Sequence, residues 1–449
     1  MAKILGTTGN DKIPGRPGAD LVFGDPYSGD PTAPGDLGDL FGFGGNDTVE
    51  GGRGADTLVG DASLASGVSP VSSALGGDDV LRGGEGDDWI VGDALQMIRF
   101  AVGGNDLLDG GDGNDTLLGD ADNFGNSSRT DGAAGGDDTL NGGAGNDLLY
   151  GDNRFRSGAL GGGGNDLLYG GAGDDTLVGD GGGFGVTSRD ADTLDGGSGN
   201  DLLYGGLSAA IDVLHGGSGS DTLIGDQTGI SFSPSTGSPD SLDGGSGDDL
   251  VYGDALSFAF GGRGGADTIE GGSGADTLVG DASMAGFAAA AGADDSLDGG
   301  AGNDLVYGDF QAASNSFRTT ALGNDVVAGG DGADTLYGDS FLLDSILISG
   351  ADTIEGGAGS DLFYGDASAL TVTGGADVFA FLGDFGQDTI GDFHQGEDRL
   401  AFQLPGVGGL DDVDITVGAT NTVITVGTFG TITLAGFTAP LTEADILIV

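Results

Sequence analysis

Aspartates recur along this 449-residue chain at one fixed place in a short glycine-rich repeat. The repeat is Gly-Gly-x-Gly-x-Asp-x-U-x, in which U is a large apolar residue, and clear copies occupy residues 110–118 and 142–150. Copies run from near the start of the chain to about residue 365. A carboxylate set among glycines whose carbonyl groups can turn inward is typical of a binding site for a hard cation.

The repeats form units of about 28 residues, each with an abbreviated turn, a complete turn, a Gly-Asp pair and then a variable insert. Each of the first three parts contributes a row of candidate metal ligands. Row A, from the abbreviated turns, comprises Asp11, Asp47, Asp79, Asp106, Asp138, Asp166, Asp192, Asp212, Asp240, Asp267, Asp295, Asp325, Asp352 and Asp377. Row B, from the complete turns, comprises Asp20, Asp56, Asp88, Asp115, Asp147, Asp175, Asp201, Asp221, Asp249, Asp276, Asp304, Asp334 and Asp361. Row C, from the Gly-Asp pairs, comprises Asp25, Asp61, Asp93, Asp120, Asp152, Asp180, Asp226, Asp254, Asp281, Asp309, Asp339 and Asp366.

Calcium is the cation that this pattern predicts, because it takes about six to eight oxygen ligands and tolerates irregular geometry. Ions held between successive turns would bridge aspartates of adjacent coils. About 12 gaps on one edge, or about 24 on both, predict roughly 12 to 24 calcium ions, and the larger number would cancel about 48 of the 59 net negative charges. Row C either completes sites on the edge interrupted by the inserts or serves in local turns, where an aspartate accepts hydrogen bonds from its own backbone.

Two turns per unit make one coil, so the sequence predicts an all-β protein: a parallel β-roll or β-helix solenoid of about 13 coils, with a fourteenth begun at Asp377. Residues in each x-U-x triplet alternate sides, which turns U inward and leaves a thin core. The predicted domains are a repeat region, residues 1–374, and a small C-terminal β cap, residues 375–449. Strands of this cap are expected at residues 378–381, 421–426 and 430–434.

The inserts are predicted to stack on one edge, with two possible outcomes. They could add a third, irregular sheet, or they could form an assembly or adhesion edge. Seven of the 13 basic residues lie in them: Arg99, Arg129, Arg154, Arg156, Arg189, Arg263 and Arg318. Most tyrosines occupy the last repeat position, beside U, and are expected to point outward, either packing on one another or offering a stacking surface for polysaccharide.

Composition excludes several classes of protein. With 72 acidic and 13 basic residues the chain is a very poor partner for nucleic acid. There is no cysteine, and no apolar stretch long enough for a transmembrane segment or for a signal region after Met1. The two histidines, His215 and His394, have no triad or metal-site partner nearby in sequence, and neither H-E-x-x-H nor G-x-S-x-G occurs. The chain is therefore not expected to be an enzyme.

These repeats resemble the RTX (repeats-in-toxin) family of bacterial secreted proteins. The tail also looks like that family's C-terminal region, through residues 376–381, 388–393 and 396–400, and the end, residues 444–449, is similar to type I secretion signals. The resemblance implies export by a type I ABC exporter and folding outside the cell, where calcium is plentiful. Most members carry a separate effector domain before the repeats, and none is evident in this sequence.

The sequence thus predicts an extracellular calcium-binding structural protein that folds on calcium binding after export. Surface-layer, filament, matrix and adhesion components are the roles considered, with the chain itself or cell-surface polysaccharide as partner. The alternative is a calcium-dependent accessory module of a secreted enzyme that processes polysaccharide or protein.

Overall fold

The computed structural model describes residues 2–6, 10–24, 45–61, 75–94, 102–124, 134–156, 163–180, 190–206, 210–226, 237–256, 262–285, 291–313, 321–340, 349–366 and 374–449. These residues divide into two compact units, Met1–Ser218 and Gly219–Val449. The predicted boundary at residue 374 differs from this division and stays a prediction about domains.

Unit 1 is built of coils with two short strands each, and the strands of successive coils pair in parallel. The first strand follows the abbreviated turn; these strands are Lys12–Pro14, Thr48–Arg53, Val80–Glu85, Leu107–Asp112, Thr139–Ala144, Leu167–Ala172, Thr193–Ser198 and Val213–Ser218. The second follows the complete turn; these are Asp20–Phe23, Thr57–Val59, Trp89–Val91, Thr116–Leu118, Leu148–Tyr150, Thr176–Val178 and Leu202–Gly206, with Ala2–Leu5 paired to Asp20–Phe23.

Unit 2 continues the same plan. Its first strands are Ser241–Ser246, Thr268–Ser273, Ser296–Asp298 with Ala301–Gly302, Val326–Gly332, Thr353–Gly359, Val378–Leu382, Arg399–Gln403 and Ile446–Ile448. Its second strands are Thr222–Asp226, Leu250–Tyr252, Thr277–Val279, Leu305–Tyr307, Thr335–Tyr337, Leu362–Tyr364 and Gly386–Ile390. Together the two units confirm the predicted class, an all-β parallel solenoid.

Apolar U residues form the inner face of both strand columns. In unit 1, Leu117 pairs with Leu149 in the second column and Leu108 with Leu140 in the first, and all four are fully buried. Glycine makes the tight turn between the columns possible: Gly111 has φ +107° and Gly113 has φ +150°, a region that other residues rarely adopt. The repeat therefore dictates the coil locally, and in-register pairing aligns equivalent aspartates.

The outer face of the second column is covered, which the sequence did not predict. Val59, Val91 and Leu118 are fully buried, and Phe23, Trp89 and Tyr150 pack against them. In unit 2, Tyr252, Tyr307 and Tyr337 are also buried. The expectation of a thin core is therefore wrong here, and these three tyrosines are not exposed. The expected packing of tyrosines on one another is confirmed for Tyr307, Tyr337 and Tyr364, whose neighbouring rings stack at 5.0 Å. Residues that open the inserts are buried too, including Ala94, Ala121, Ala255, Ala282 and Phe310, which indicates that this face is not open to solvent.

Parts of the inserts do form additional parallel pairs. Ala121–Phe124 pairs with Asn153–Arg156, and Ala282–Ala285 pairs with Phe310–Ala313. Both pairs begin directly after Gly-Asp pairs, as the third-sheet prediction requires. Most of the insert arginines, Arg99, Arg129, Arg189 and Arg318, lie outside the described residues, so the assembly-edge alternative stays a prediction.

The C-terminal cap closes unit 2 with an aromatic core and three consecutive antiparallel strands. These strands are Asp414–Val417, Asn421–Val426 and Gly430–Ala435, and the last of them also pairs in parallel with Gly386–Ile390. Phe379, Phe381, Phe385 and Phe402 are buried in the cap. Two 3-10 turns, Leu410–Asp412 and Glu443–Asp445, are the helical elements of the described chain. The three predicted cap strands are confirmed to within two residues at their ends.

Candidate metal centre

The aspartates of row A and row B form two continuous ladders of hydrogen bonds in each unit. The backbone N–H of each aspartate donates to Oδ1 of the aspartate in the next coil, for example Asp115 to Asp147 and Asp106 to Asp138, both at 2.7 Å. The same bond recurs in unit 2, from Asp249 to Asp276 at 2.8 Å. One carboxylate oxygen of each ladder aspartate therefore holds neighbouring coils in register.

The second carboxylate oxygen of these aspartates is buried without a hydrogen-bond donor. In unit 1 this holds for Oδ2 of Asp56, Asp79, Asp88, Asp106, Asp115, Asp138, Asp147, Asp166, Asp175 and Asp192. In unit 2 it holds for Oδ2 of Asp249, Asp267, Asp276, Asp295, Asp304, Asp325, Asp334, Asp352, Asp361 and Asp377. A buried, ionised carboxylate oxygen without a partner is strongly unfavourable, so a ladder of ionised aspartates needs a positive charge beside it.

Glycines keep an oxygen-lined space open next to these atoms. A methyl group placed on Gly142 would lie 2.5 Å from Asp147 Oδ2 and 2.7 Å from the Gly170 carbonyl oxygen. On Gly271 in unit 2 it would lie 2.8 Å from Asp276 Oδ2 and 2.7 Å from the Gly299 carbonyl oxygen. Carboxylate and carbonyl oxygens converging on one small space are the donors that calcium prefers, so the residues present fit this ion.

Row C lies beside row A on the edge that carries the inserts. Its carboxylates accept hydrogen bonds across the insert rather than in a local turn: Asp61 from the N–H of Gly77 at 2.9 Å, and Asp120 from that of Gly136 at 3.0 Å. In unit 2 Asp366 accepts from the N–H of Gly375 at 2.7 Å. The local-turn alternative does not describe these bonds. Row C closes the base of each insert and adds a second line of carboxylates next to row A.

Burial and mutual repulsion raise the pKa of many aspartates in the three rows above the ordinary range. Burial, followed by the charges of Asp106 and Asp61, raises the pKa of Asp79 to about 10. For Asp93 the pKa is raised well above its usual value by burial first and then by Asp106 and its row C neighbours. In row B the effect is smaller: burial raises the pKa of Asp147 to about 7. The edge with rows A and C therefore carries the greater need for bound cations.

All the predicted ligands that the structure describes are buried, except Asp11, which is half-buried. Asp25 lies outside the described residues. The remaining row C members, Asp93, Asp152, Asp180, Asp226, Asp254, Asp281, Asp309 and Asp339, and the row A and B members Asp20, Asp47, Asp201, Asp212, Asp221 and Asp240 are each at most 3% exposed. At the seventh unit, where Gly205-Gly206 replaces the Gly-Asp pair, the N–H of Asp180 donates to the Gly205 carbonyl oxygen at 3.1 Å.

Three cap aspartates that the sequence reasoning missed extend the rows. The N–H of Asp361 donates to Asp388 at 3.1 Å, and that of Asp377 to Asp398 at 3.2 Å. Asp392 follows Gly391 in the manner of row C. A signal existed, since residues 396–400 have the spacing of an abbreviated turn, Gly-x-Asp-x-U.

The histidines were predicted to have no triad or metal-site partner nearby in sequence. His215 is exposed, but His394 Nδ1 lies 3.3 Å from Asp366 Oδ2, at the end of row C. None of the helical elements in the described part of the chain is long and apolar enough to cross a membrane.

Comparisons with known proteins agree with this geometry. The model of the RTX calcium-binding nonapeptide repeat matches residues 3–26, 41–63, 73–94, 100–123, 133–153, 159–183, 186–209, 208–227, 236–255, 261–283, 289–312, 320–341 and 348–378. No curated protein matches the sequence. Among solved structures, the crystal structure of the extracellular lipase LipA from Serratia marcescens matches at 18% identity, with a TM-score of 0.22, over 59% of this chain and 45% of the lipase chain. This chain therefore spans under half the length of that chain, and so low a TM-score carries no argument about function. Because the repeat model covers more than half of its length, the chain belongs to the RTX calcium-binding nonapeptide repeat family.

Proposed function

We propose that this protein is an extracellular structural component whose coils are stable in neutral solution only when calcium occupies the aspartate ladders. The observation that carries the proposal is the repeated buried Oδ2 atom without a hydrogen-bond donor, which recurs coil after coil in both units. One such atom would be a local defect. A whole row of them, most beside a glycine carbonyl oxygen, is the donor set of a repeated cation site.

Rows A, B and C are the proposed calcium ligands, together with glycine carbonyl oxygens of the turns. Bound calcium supplies positive charge beside the buried carboxylates, and an ion shared by two coils couples them. A total of roughly 12 to 24 ions would neutralise most of the net charge of −59. Because the chain has no cysteine, such ions take the place that disulfides hold in many extracellular proteins.

Calcium at millimolar concentration is a feature of the extracellular space, and modules with weak sites use it as a folding signal. Export through a type I ABC exporter of a bacterium fits a chain that would be poorly folded at low calcium. In this proposal the carboxylates are engaged in ladder bonds and ion binding, which leaves them unsuited to acid or base catalysis. The role is therefore structural rather than catalytic, in a surface layer, filament, matrix or adhesion contact.

A calcium titration of the full chain tests the proposal. Far-ultraviolet circular dichroism and hydrogen–deuterium exchange should show a largely disordered chain in chelator and a protected β-sheet at millimolar calcium, with magnesium as the matched control. Magnesium demands octahedral geometry and dehydrates reluctantly, so it should not substitute. A chelated sample with the same spectrum and exchange as the calcium-loaded one would contradict the proposal.

Self-association is the proposed consequence of folding, because bound calcium would lower the repulsion between copies of so acidic a chain. Sedimentation velocity at millimolar calcium should show species larger than the monomer, and these should disappear in chelator. A monomer at all protein concentrations would favour binding to cell-surface polysaccharide, which a pull-down with insoluble polysaccharide would then detect.

A further inference from the structure

The outer face of the first column in unit 1 is open, in contrast to the covered second column. Residues on either side of a buried U residue point outward, and parallel pairing sets the residues that follow U side by side. These residues form row D, which comprises Glu50, Arg82, Asp109, Asn141, Tyr169, Asp195 and His215. All of them are exposed or half-buried. Row D is therefore a line of side chains available to a partner.

Tyr169 is the tyrosine that row D exposes, and it is 38% exposed. The other tyrosines of the described repeats lie in the second column, where they are buried or half-buried. Three of those, Tyr307, Tyr337 and Tyr364, stack on one another, and Tyr169 is not part of these stacks. An aromatic ring that is held on a strand and open to solvent offers an apolar surface for stacking.

Hydrogen-bonding groups flank this ring on both sides. In the sheet register Asn141 and Asp195 are the partners of Tyr169 on the two neighbouring strands. The Asn141 Nδ2 group donates to Asp109 Oδ1 at 3.2 Å, which orients the amide and leaves its oxygen as an acceptor. The Asp195 carboxylate is an acceptor as well. An apolar ring therefore lies between groups that accept hydrogen bonds.

Sugars combine the two features that this arrangement would recognise. One face of a pyranose ring is lined by C–H groups and stacks on aromatic side chains, while its hydroxyl groups donate hydrogen bonds to amide and carboxylate oxygens. Neighbouring strands lie about 4.8 Å apart, which is close to the length of one sugar in an extended glycan. A glycan lying across the strands would therefore place successive sugars over Asn141, Tyr169 and Asp195.

The charge of the site selects among polysaccharides. Asp195 lies one strand from Tyr169 and Asp109 two strands away on the other side, in a chain of net charge −59. This field repels anionic polymers, whereas the carboxylates accept hydrogen bonds from the hydroxyl groups of neutral ones. The complementary partner is therefore neutral and rich in hydroxyl groups.

We propose that Tyr169, Asn141 and Asp195 bind an extended, neutral polysaccharide, with Tyr169 as the stacking residue. The inference deepens the proposed function, on which it rests, because it assigns a site to the polysaccharide partner and needs the calcium-folded coil. None of the three residues belongs to row A, B or C.

A second copy of the chain is the rival occupant of this face. Residues that precede U form a strip parallel to row D with Val80, Leu107, Leu167 and Val213; Leu107 is 40% exposed and the other three are half-buried. Stable interfaces bury about 800 Å² on each partner, and a strip with one exposed leucine offers little apolar area toward that. The face is therefore better suited to contacting a sugar chain than to holding a dimer.

Affinity electrophoresis of the full chain at millimolar calcium tests the site. Hydroxyethyl cellulose and galactomannan, two neutral glycans, should retard the wild type in native gels. Carboxymethyl cellulose, which has the backbone of the first with added negative charge, should retard it less. Tyr169→Ala should weaken the apparent affinity for the neutral glycans at least about tenfold, whereas Tyr169→Phe, which keeps the ring, should not. Both variants should fold, because Tyr169 is exposed.

The matched control is Val326→Ala, which shortens an exposed apolar side chain on a first-column strand of unit 2 and should leave the retardation unchanged. No retardation of the wild type by either neutral glycan, or equal retardation of the wild type and Tyr169→Ala, would overturn the site. Sedimentation velocity in which Tyr169→Ala loses self-association but keeps its retardation would also overturn it, since the face would then belong to a second copy.

Circular dichroism in calcium separates this failure from that of the proposed function. A folded chain that binds no neutral glycan would refute the site alone. A chain that calcium does not fold would refute both.

Discussion

Removing one ladder charge should affect the calcium-free and calcium-loaded states in opposite directions. Asp147 is the best position for this test, since it is 3% exposed, accepts the Asp115 N–H through Oδ1 at 2.7 Å, and has no donor for Oδ2. The substitution Asp147→Asn keeps the accepting oxygen and the shape of the side chain. It removes the charge and places an NH₂ group where Oδ2 lay.

In chelator at pH 7 the variant should be the more stable protein. Burial raises the pKa of Asp147 from 3.8 to about 7, which corresponds to roughly 4 kcal/mol of ionisation penalty at about 1.4 kcal/mol for each pH unit. Screening by solvent at the edge of the coil reduces this to about 2 kcal/mol. The free energy of unfolding of the calcium-free folded state should therefore be about 2 kcal/mol higher in Asp147→Asn than in the wild type.

In calcium the sign should reverse, because the variant loses a charged ligand shared by two coils. A loss of about 2 kcal/mol corresponds to about a 30-fold weaker intrinsic affinity at the affected gap. The calcium midpoint of folding should rise accordingly. The fluorescence of Trp89, the only tryptophan in the chain and a residue of the same unit, reports this transition together with circular dichroism.

The matched control is Asp112→Asn, which removes the same charge from an exposed position of the preceding coil. It should change both measurements by less than about 0.5 kcal/mol. Equal behaviour of the two variants in chelator and in calcium would refute the assignment of row B as a cation ladder.

Three further outcomes are expected. A methyl group on Gly92 would collide with Asp106 Oδ2 and the Gly119 carbonyl oxygen, so Gly92→Ala should lower the calcium-loaded unfolding free energy by about 2–4 kcal/mol. The control Gly408→Ala should not, because its methyl group would lie at an ordinary contact distance of 3.4 Å from Asp412 Oδ2; equal denaturation midpoints would contradict the close approach at Gly92. Tyr337→Ala should lower the unfolding free energy by about 3 kcal/mol, because Tyr337 stacks between two tyrosine rings at 5.0 Å. Tyr169→Ala, at an exposed position, should lower it by under about 0.5 kcal/mol. Similar losses for the two variants in chemical denaturation would count against the covered face. In chelator, acidification should promote folding, because burial raises the pKa of row B aspartates such as Asp304 to about 7. The folded state then binds more protons than the unfolded chain between about pH 4 and 7, so stability is lost as pH rises through that window. Circular dichroism unchanged by acid would refute this.

The repeat by itself determined the coil, the two columns of buried U residues and the alignment of rows A and B. Its information is local: glycine allows the turn, U supplies the inner face, and parallel pairing places equivalent residues of successive units side by side. Asp115 and Asp147 are 32 residues apart in sequence, yet their contact follows from that register alone. The alignment of the candidate calcium ligands could therefore be predicted from the spacing of the repeats.

Tertiary structure decided what depends on contacts that the repeat does not encode. Row C bonds such as Asp61 to Gly77 span an insert of variable length, so no fixed spacing announces them. The burial of Tyr337 depends on what covers the outer face of the coil, and alternation within a strand gives only the side, not its cover. In the cap the repeat is no longer recognisable, and only the three-dimensional pairing shows that Asp388 continues row B. Asp388 accepts the Asp361 N–H through Oδ1 and has no donor for Oδ2, whereas Asp398 accepts from two N–H groups.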